Sequence, residues 1–177
     1  MRARTLVTGV AVTVLMGLGT TASGATTRGD SLGDSGGYEL GFEHAGPGEG
    51  YWFTCPLLRN VSSVPITVIG VELLRAPDHW RTGEVGAVRQ SDAHGPSLGA
   101  RDESFTEDPN LLGELSEAPV PIAPGEHTPV YYLVRAEATT SPVSGRAEGC
   151  RFTYRTEHRI YVQDLRADFV LGPSGEG

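Results

Sequence analysis

Lysine is missing: all 14 basic residues among the 177 are Arg. That reads as codon bias before it reads as function. Methionine is confined to Met1 and Met16, so a chain processed near residue 25 has no thioether for a copper site. Cysteine is limited to Cys55 and Cys150, and without a C-x-x-C spacing the pair argues against redox chemistry. Positive charge is scarce: 14 Arg against 22 Asp and Glu give a formal charge of −8. Nucleic-acid binding needs a basic face, so that class is excluded. Sustained helical periodicity is also lacking beyond the N-terminal run, which argues against coiled coils and long bundles. What is present, 24 Gly and 12 Pro beside 38% hydrophobic residues, describes turns and strands around a core in one domain.

Residues 1–25 have the three-part layout of a secretory signal peptide. Met1-Arg2-Ala3-Arg4 is basic, Leu6 to Gly19 is uncharged, and Ser23 and Ala25 supply the small residues before a cut. The uncharged run falls below the roughly 20 residues that span a bilayer. No Cys follows it for lipid attachment, and the separated arginines do not make a twin-arginine signal. Cleavage removes two Arg and no acid, taking the charge from −8 to −10. The expected product is an acidic, secreted protein that no longer contacts the membrane.

Residues 26–37 hold one large apolar side chain, Leu32, and four Gly, which predicts a flexible linker. Strand-like runs follow at 38–43, 51–59, 65–74, 84–90, 130–136, 150–155 and 158–165, with a weaker eighth at 168–171. Pro and Gly turns separate them. In the sixth run Cys150, Phe152 and Tyr154 alternate with Arg151, Thr153 and Arg155, a half-buried strand with its sulfur on the core side. An even cysteine count in an oxidising compartment predicts a Cys55–Cys150 disulfide. Asp108 and Pro109 suit the start of a short helix with Leu111, Leu112 and Leu115 on one side. Residues 91–118 form a long acidic excursion, read as a solvated loop. The pattern predicts an all-β fold: one sandwich of seven or eight strands over 38–172, followed by a disordered tail, 173–177.

Leu57-Leu58-Arg59-Asn60, leading through Ser62 and Ser63 to Val64-Pro65-Ile66-Thr67-Val68, resembles the opening strands of immunoglobulin-like accessory domains. Pro121-Ile122-Ala123-Pro124-Gly125-Glu126 is similar to their turn before a further strand. Together with the leader and the Arg-only, Gly-rich composition, the chain resembles secreted immunoglobulin-like proteins of actinobacteria. The resemblance implies a fold; function has to come from a site.

Two strings look catalytic. Gly29-Asp30-Ser31-Leu32 matches serine esterases, but no apolar strand precedes it and no Asp-x-x-His follows. Gly33-Asp34-Ser35-Gly36-Gly37 matches the nucleophile of trypsin-like proteases, yet no His lies upstream. Arg28-Gly29-Asp30 also spells an adhesion tripeptide, read as coincidence in a Gly-rich stretch. His44, His79, His94, His127 and His158 form no i, i+2 or i, i+4 pair, and Asp102, Glu103, Glu107 and Asp108 lack calcium-loop spacing. Neither a cofactor nor a metal is expected. Trp80, in a polar turn, could stack on a sugar or anchor a partner. The expectation is a secreted, non-enzymatic binding or structural domain with a protein or cell-wall partner. Two alternatives are carbohydrate binding through Trp80 and a hydrolase using Ser31 or Ser35.

Overall fold

The computed structural model describes residues 27–34, 36–89, 99–107, 119–141 and 143–172, the side chains of 105–107 aside. The expected signal peptide, the helix expected after Asp108 and the expected tail at 173–177 lie outside them. The elements in chain order are β1 (Thr27–Arg28), β2 (Leu32–Gly33), β3 (Glu39–Phe42), β4 (Gly50–Thr54), β5 (Arg59–Asn60), β6 (Ile66–Leu73) and β7 (Trp80–Arg89). Then come β8 (Gly99–Arg101), α1 (Asp102–Glu107), β9 (Val120–Ile122), β10 (Val130–Ala138), β11 (Gly145–Arg155) and β12 (Ile160–Leu171).

One sheet has the order β1-β12-β11-β6-β9, with β3 also on β12; the other runs β7-β10-β4-β8. A bridge from Cys55, just beyond β4, to Cys150 on β11 joins them. In chain order β4, β6, β7, β10, β11 and β12 occupy positions B, C, D, E, F and G of an immunoglobulin sandwich. D-E-B faces C-F-G, and the bridge runs from B to F. The expected all-β sandwich is therefore the fold, and the excursion after β7 is an insertion between D and E.

Alternation decides what each strand buries. On β11, Cys150, Phe152 and Tyr154 are fully buried while Arg155 is exposed. Tyr51 and Phe53 of β4 point into the same core. Phe53 sits 5.0 Å from the Phe169 ring across the sandwich, and Tyr132 is 5.8 Å from Phe152. The two runs expected at 158–165 and 168–171 are one strand, β12, because Leu165, Ala167, Phe169 and Leu171 keep one inward parity throughout.

The expected linker is a correction: residues 27–34 belong to the sandwich, which starts at β1 and not at residue 38. Thr27 and Arg28 pair in parallel with Tyr161 and Val162, and Leu32 and Gly33 pair with Asn60 and Arg59. Leu32 is buried, and its backbone is held by the Gln163 side chain, N–H to Oε1 at 3.0 Å and Nε2 to the carbonyl at 2.6 Å. One amide side chain thus does the work of a neighbouring strand. Composition predicts disorder from the paucity of apolar groups, but the single one present reaches the core.

The outer face of the four-stranded sheet is apolar at its centre, where Trp52, Val88, Ala100 and Leu133 form a second buried cluster. Beside it, Arg135 of β10 grips Asp102 at the start of α1, Nη2 to Oδ2 at 2.6 Å and Nε to Oδ1 at 3.0 Å. Trp52 Nε1 donates to the same carboxylate at 2.9 Å. The Arg135 guanidinium holds the Asp102 carboxyl below the usual carboxylate range against the opposing effect of burial. Asp102 is thus not part of a solvated acidic loop but ties the insertion to the sheet.

Two outcomes follow for stability. Intact protein should take up no alkylating agent without reductant. Breaking the bridge, which closes a 95-residue span, should cost about 4–5 kcal/mol in the chain-entropy model, read as a lowered midpoint in urea. Asp102→Asn should cost about 1 kcal/mol at pH 7, a modest figure because the Asp102 side chain is 40% exposed. Because the folded carboxyl titrates below its unfolded value near 3.9, wild-type advantage is present above that pH. The two proteins should converge as the pH falls through the lowered folded value, in parallel urea titrations.

Candidate functional site

Strand register sets the outer face of the six-stranded sheet as rows. Glu72, Arg151 and Asp164 make the first, with Arg151 Nε 2.7 Å from Asp164 Oδ1 and Nη1 3.6 Å from Glu72 Oε1. Gly70, Thr153, Val162 and Arg28 make the second, and Thr67, Arg155 and Ile160 the last. Charge is compensated in the first row and thins out toward the last. Beyond that row lies the turn between β5 and β6.

That turn is built on Asn60, which is fully buried. Its Nδ2 donates to the carbonyls of Val64 at 2.8 Å and Ile122 at 3.0 Å. Its Oδ1 accepts from Ser62 N at 3.0 Å and from Ser62 Oγ at 2.7 Å. Both donor hydrogens and both acceptor sites of the amide are used, so the turn is fixed from within. The same residue's backbone pairs with Gly125 and Glu126 and so fastens the β9–β10 turn beside it.

Four large apolar side chains are exposed among the described residues: Val61 at 56%, Val64 at 45%, Ile69 at 39% and Ile160 at 51%. Val61 and Val64 lie on this turn and Ile69 farther along β6, while Ile160 stands on β12, across Arg155. Pro65, Pro121, Ala123 and Pro124 are exposed around the turn. No residue between Arg59 and Glu72 is charged, nor any between Glu117 and Glu126, and β6 and β9 bring these two stretches together through Ile66↔Ile122 and Val68↔Val120. An uncharged corner on a chain of charge −8 is the unusual surface here. Single exposed aliphatics are ordinary, but their gathering in one place is what marks contact surfaces. Pro121 sits mid-strand at the sheet edge, where it offers no N–H, so the corner suits side-chain contact better than strand addition. Its border carries Arg59, Arg155 and Glu126.

The residues expected to act lie elsewhere. Trp80 opens β7, is 5% exposed and stacks on Phe53 at 6.3 Å. It has no free face for a sugar, which corrects its expected role as a ligand contact. Its own neighbours in sequence are polar, and burial comes from Phe53 and from Gly145, where a Cβ would crowd the indole. Cys55 and Cys150 are joined, with Cα atoms 5.9 Å apart. Ser31 lies between β1 and β2, on no strand-to-helix turn, and no hydrogen bond links its hydroxyl to a histidine among the described residues. Ser35 and His94 lie outside the described residues. His44, His127 and His158 are exposed, and no group of three or more His, Cys, Asp or Glu gathers at one point among the described residues. Sequence reading passed over the corner itself, although the two uncharged stretches that build it are visible in the sequence.

Asn60→Ala should remove the amide that the Ile122 carbonyl and the Ser62 N–H bond to, while the Val64 carbonyl keeps Ser62 Oγ at 3.0 Å, and lower stability by about 2–4 kcal/mol, measured by urea unfolding. Val61→Asp, on the exposed side of the same turn, should stay within about 0.5 kcal/mol of wild type. Compared with known protein families and with curated proteins, the sequence finds no match in either.

Proposed function

We propose that the chain is exported and acts as a non-enzymatic binding or structural surface domain, through the uncharged corner at Val61, Val64 and Ile69. The observation that carries this reading is the exposure of Val61, Val64 and Ile69 along the uncharged run from Asn60 to Val71, beside the uncharged edge strand β9, next to a turn that Asn60 fixes from within. Preorganisation of that kind reduces the ordering cost of binding. With no titratable group inside the corner, association there is insensitive to pH and only weakly sensitive to salt. Export is supported by the leader-like residues 1–25 and by a disulfide in the core, which an oxidising compartment favours. The partner is an uncharged surface of a protein or of the cell wall, with an actinobacterial origin suggested by composition.

The full sequence expressed in an exporting host should yield a product in the culture fluid that begins at Thr26. Sedimentation with insoluble peptidoglycan should retain the wild type and release a Val61→Asp/Val64→Asp variant. Retention of both alike would move the contact away from this corner. A fluorophosphonate that labels Ser31 or Ser35 would replace the binding reading with the hydrolase.

A further inference from the structure

The string Gly29-Asp30-Ser31-Leu32 has a place in the fold that catalysis does not explain. It lies in a groove walled by β12, by the β5–β6 turn and by the stacked rings of Tyr154 and Tyr161, whose centroids are 5.5 Å apart. Three of its four positions are held, and Asp30 is exposed between them. Gly29 donates its N–H to the Val162 carbonyl at 2.8 Å, and a Cβ at this residue would overlap the Tyr154 hydroxyl. Ser31 donates its N–H to Tyr154 Oη at 3.1 Å and accepts from Val61 N at 2.9 Å. Leu32 is 3% exposed, with both its backbone groups on the Gln163 amide. The contacts are mainly to the backbone, with one position that demands glycine and another that fills an apolar socket. This is how a groove recognises an extended peptide.

We infer that this groove is a recognition site for an extended Gly-x-x-Leu segment, filled in cis by residues 27–33 and open to the same arm of a second copy. The return path depends on Gly36, whose φ is +93° and whose N–H donates to Asp34 Oδ1 at 3.0 Å. That backbone conformation is natural to glycine and strained for other residues. A change at this one position therefore decides whether an arm folds back on its own domain or crosses to a neighbour, the elementary step of domain exchange. The inference is independent of the uncharged corner, since it concerns the chain's own segment as ligand.

Two measurements on the full mature chain test it. A fluorescent peptide of residues 27–34 should bind a Leu32→Ala chain, whose own arm is loosened, and be excluded from wild type by the arm in cis, present at an effective concentration in the millimolar range. The same peptide carrying Gly29→Ala should bind about tenfold more weakly, the effect of a clash worth one decade in affinity. No binding by a folded Leu32→Ala chain, or equal binding of both peptides, would overturn the inference. Should Leu32→Ala prevent folding, Gly36→Pro decides instead. Proline holds φ near −65°, so the arm cannot return and the chain should elute as an exchanged dimer. A Gly36→Pro chain that stays monomeric would equally overturn it.

Discussion

The two sheets of a sandwich share no backbone ladder, so everything in this fold depends on what fixes one layer against the other. Here that is the Cys55–Cys150 bridge, with Cα atoms 5.9 Å apart, set into a layer of rings. Phe53 of one sheet meets Phe169 of the other at 5.0 Å, and Phe42 packs on Phe53 at 5.5 Å. A covalent link from the end of β4 to β11 fixes the relative position of the two sheets, and the packed rings beside it fix the angle. The strands can then be irregular at the periphery. β8 and β9, three residues each, are short because they only continue sheets whose centre is already determined.

How much of this was legible differs by element, for physical reasons. On β11 the alternation of Cys150, Phe152 and Tyr154 with polar residues follows directly from a strand with one wet face. β4 is also evident as a run, but Gly50 to Thr54 are buried throughout because an apolar cluster covers the outer face at Trp52 as well. The residues before Tyr38 could not be placed from composition. Leu32 is the only large apolar group of residues 26–37, and the side chains that hold this segment, Tyr154 on Ser31 and Gln163 on Leu32, lie more than 120 positions away. Trp80 misleads for the same reason, since local polarity says nothing of the Phe53 ring that arrives from another strand. The uncharged corner, in contrast, could have been read from two stretches of sequence had charge been followed by its gaps and not only by its sum.

Charge is distributed so as to leave that corner distinct. On the six-stranded sheet, Arg151 lies between Asp164 and Glu72, and Arg146 reaches Glu39 and Asp168, so cross-strand pairs neutralise the face locally. On the other sheet Arg135 is ringed by Asp102, Glu137 and Glu84. Such exposed pairs add little stability. Their effect is on association: a surface of compensated charges with an overall negative field discourages adventitious contact, and an uncharged end remains the place where another surface can approach without losing ion hydration.

The parallel pairing of the first strands with the last has a mechanical consequence. β1 and β3 run in the same direction as β12, through two and four residue pairs. Tension applied between the two ends of the domain pulls β1 and β3 backwards and β12 forwards along the same axis. The hydrogen bonds of both pairs are then loaded together in shear and do not open one at a time. Should they yield, the bridge still withholds the 95-residue span between Cys55 and Cys150. At about 3.4 Å per extended residue this removes roughly 320 Å from the reach of the chain. A domain held at both ends would resist force first as a clamp and then as a short tether.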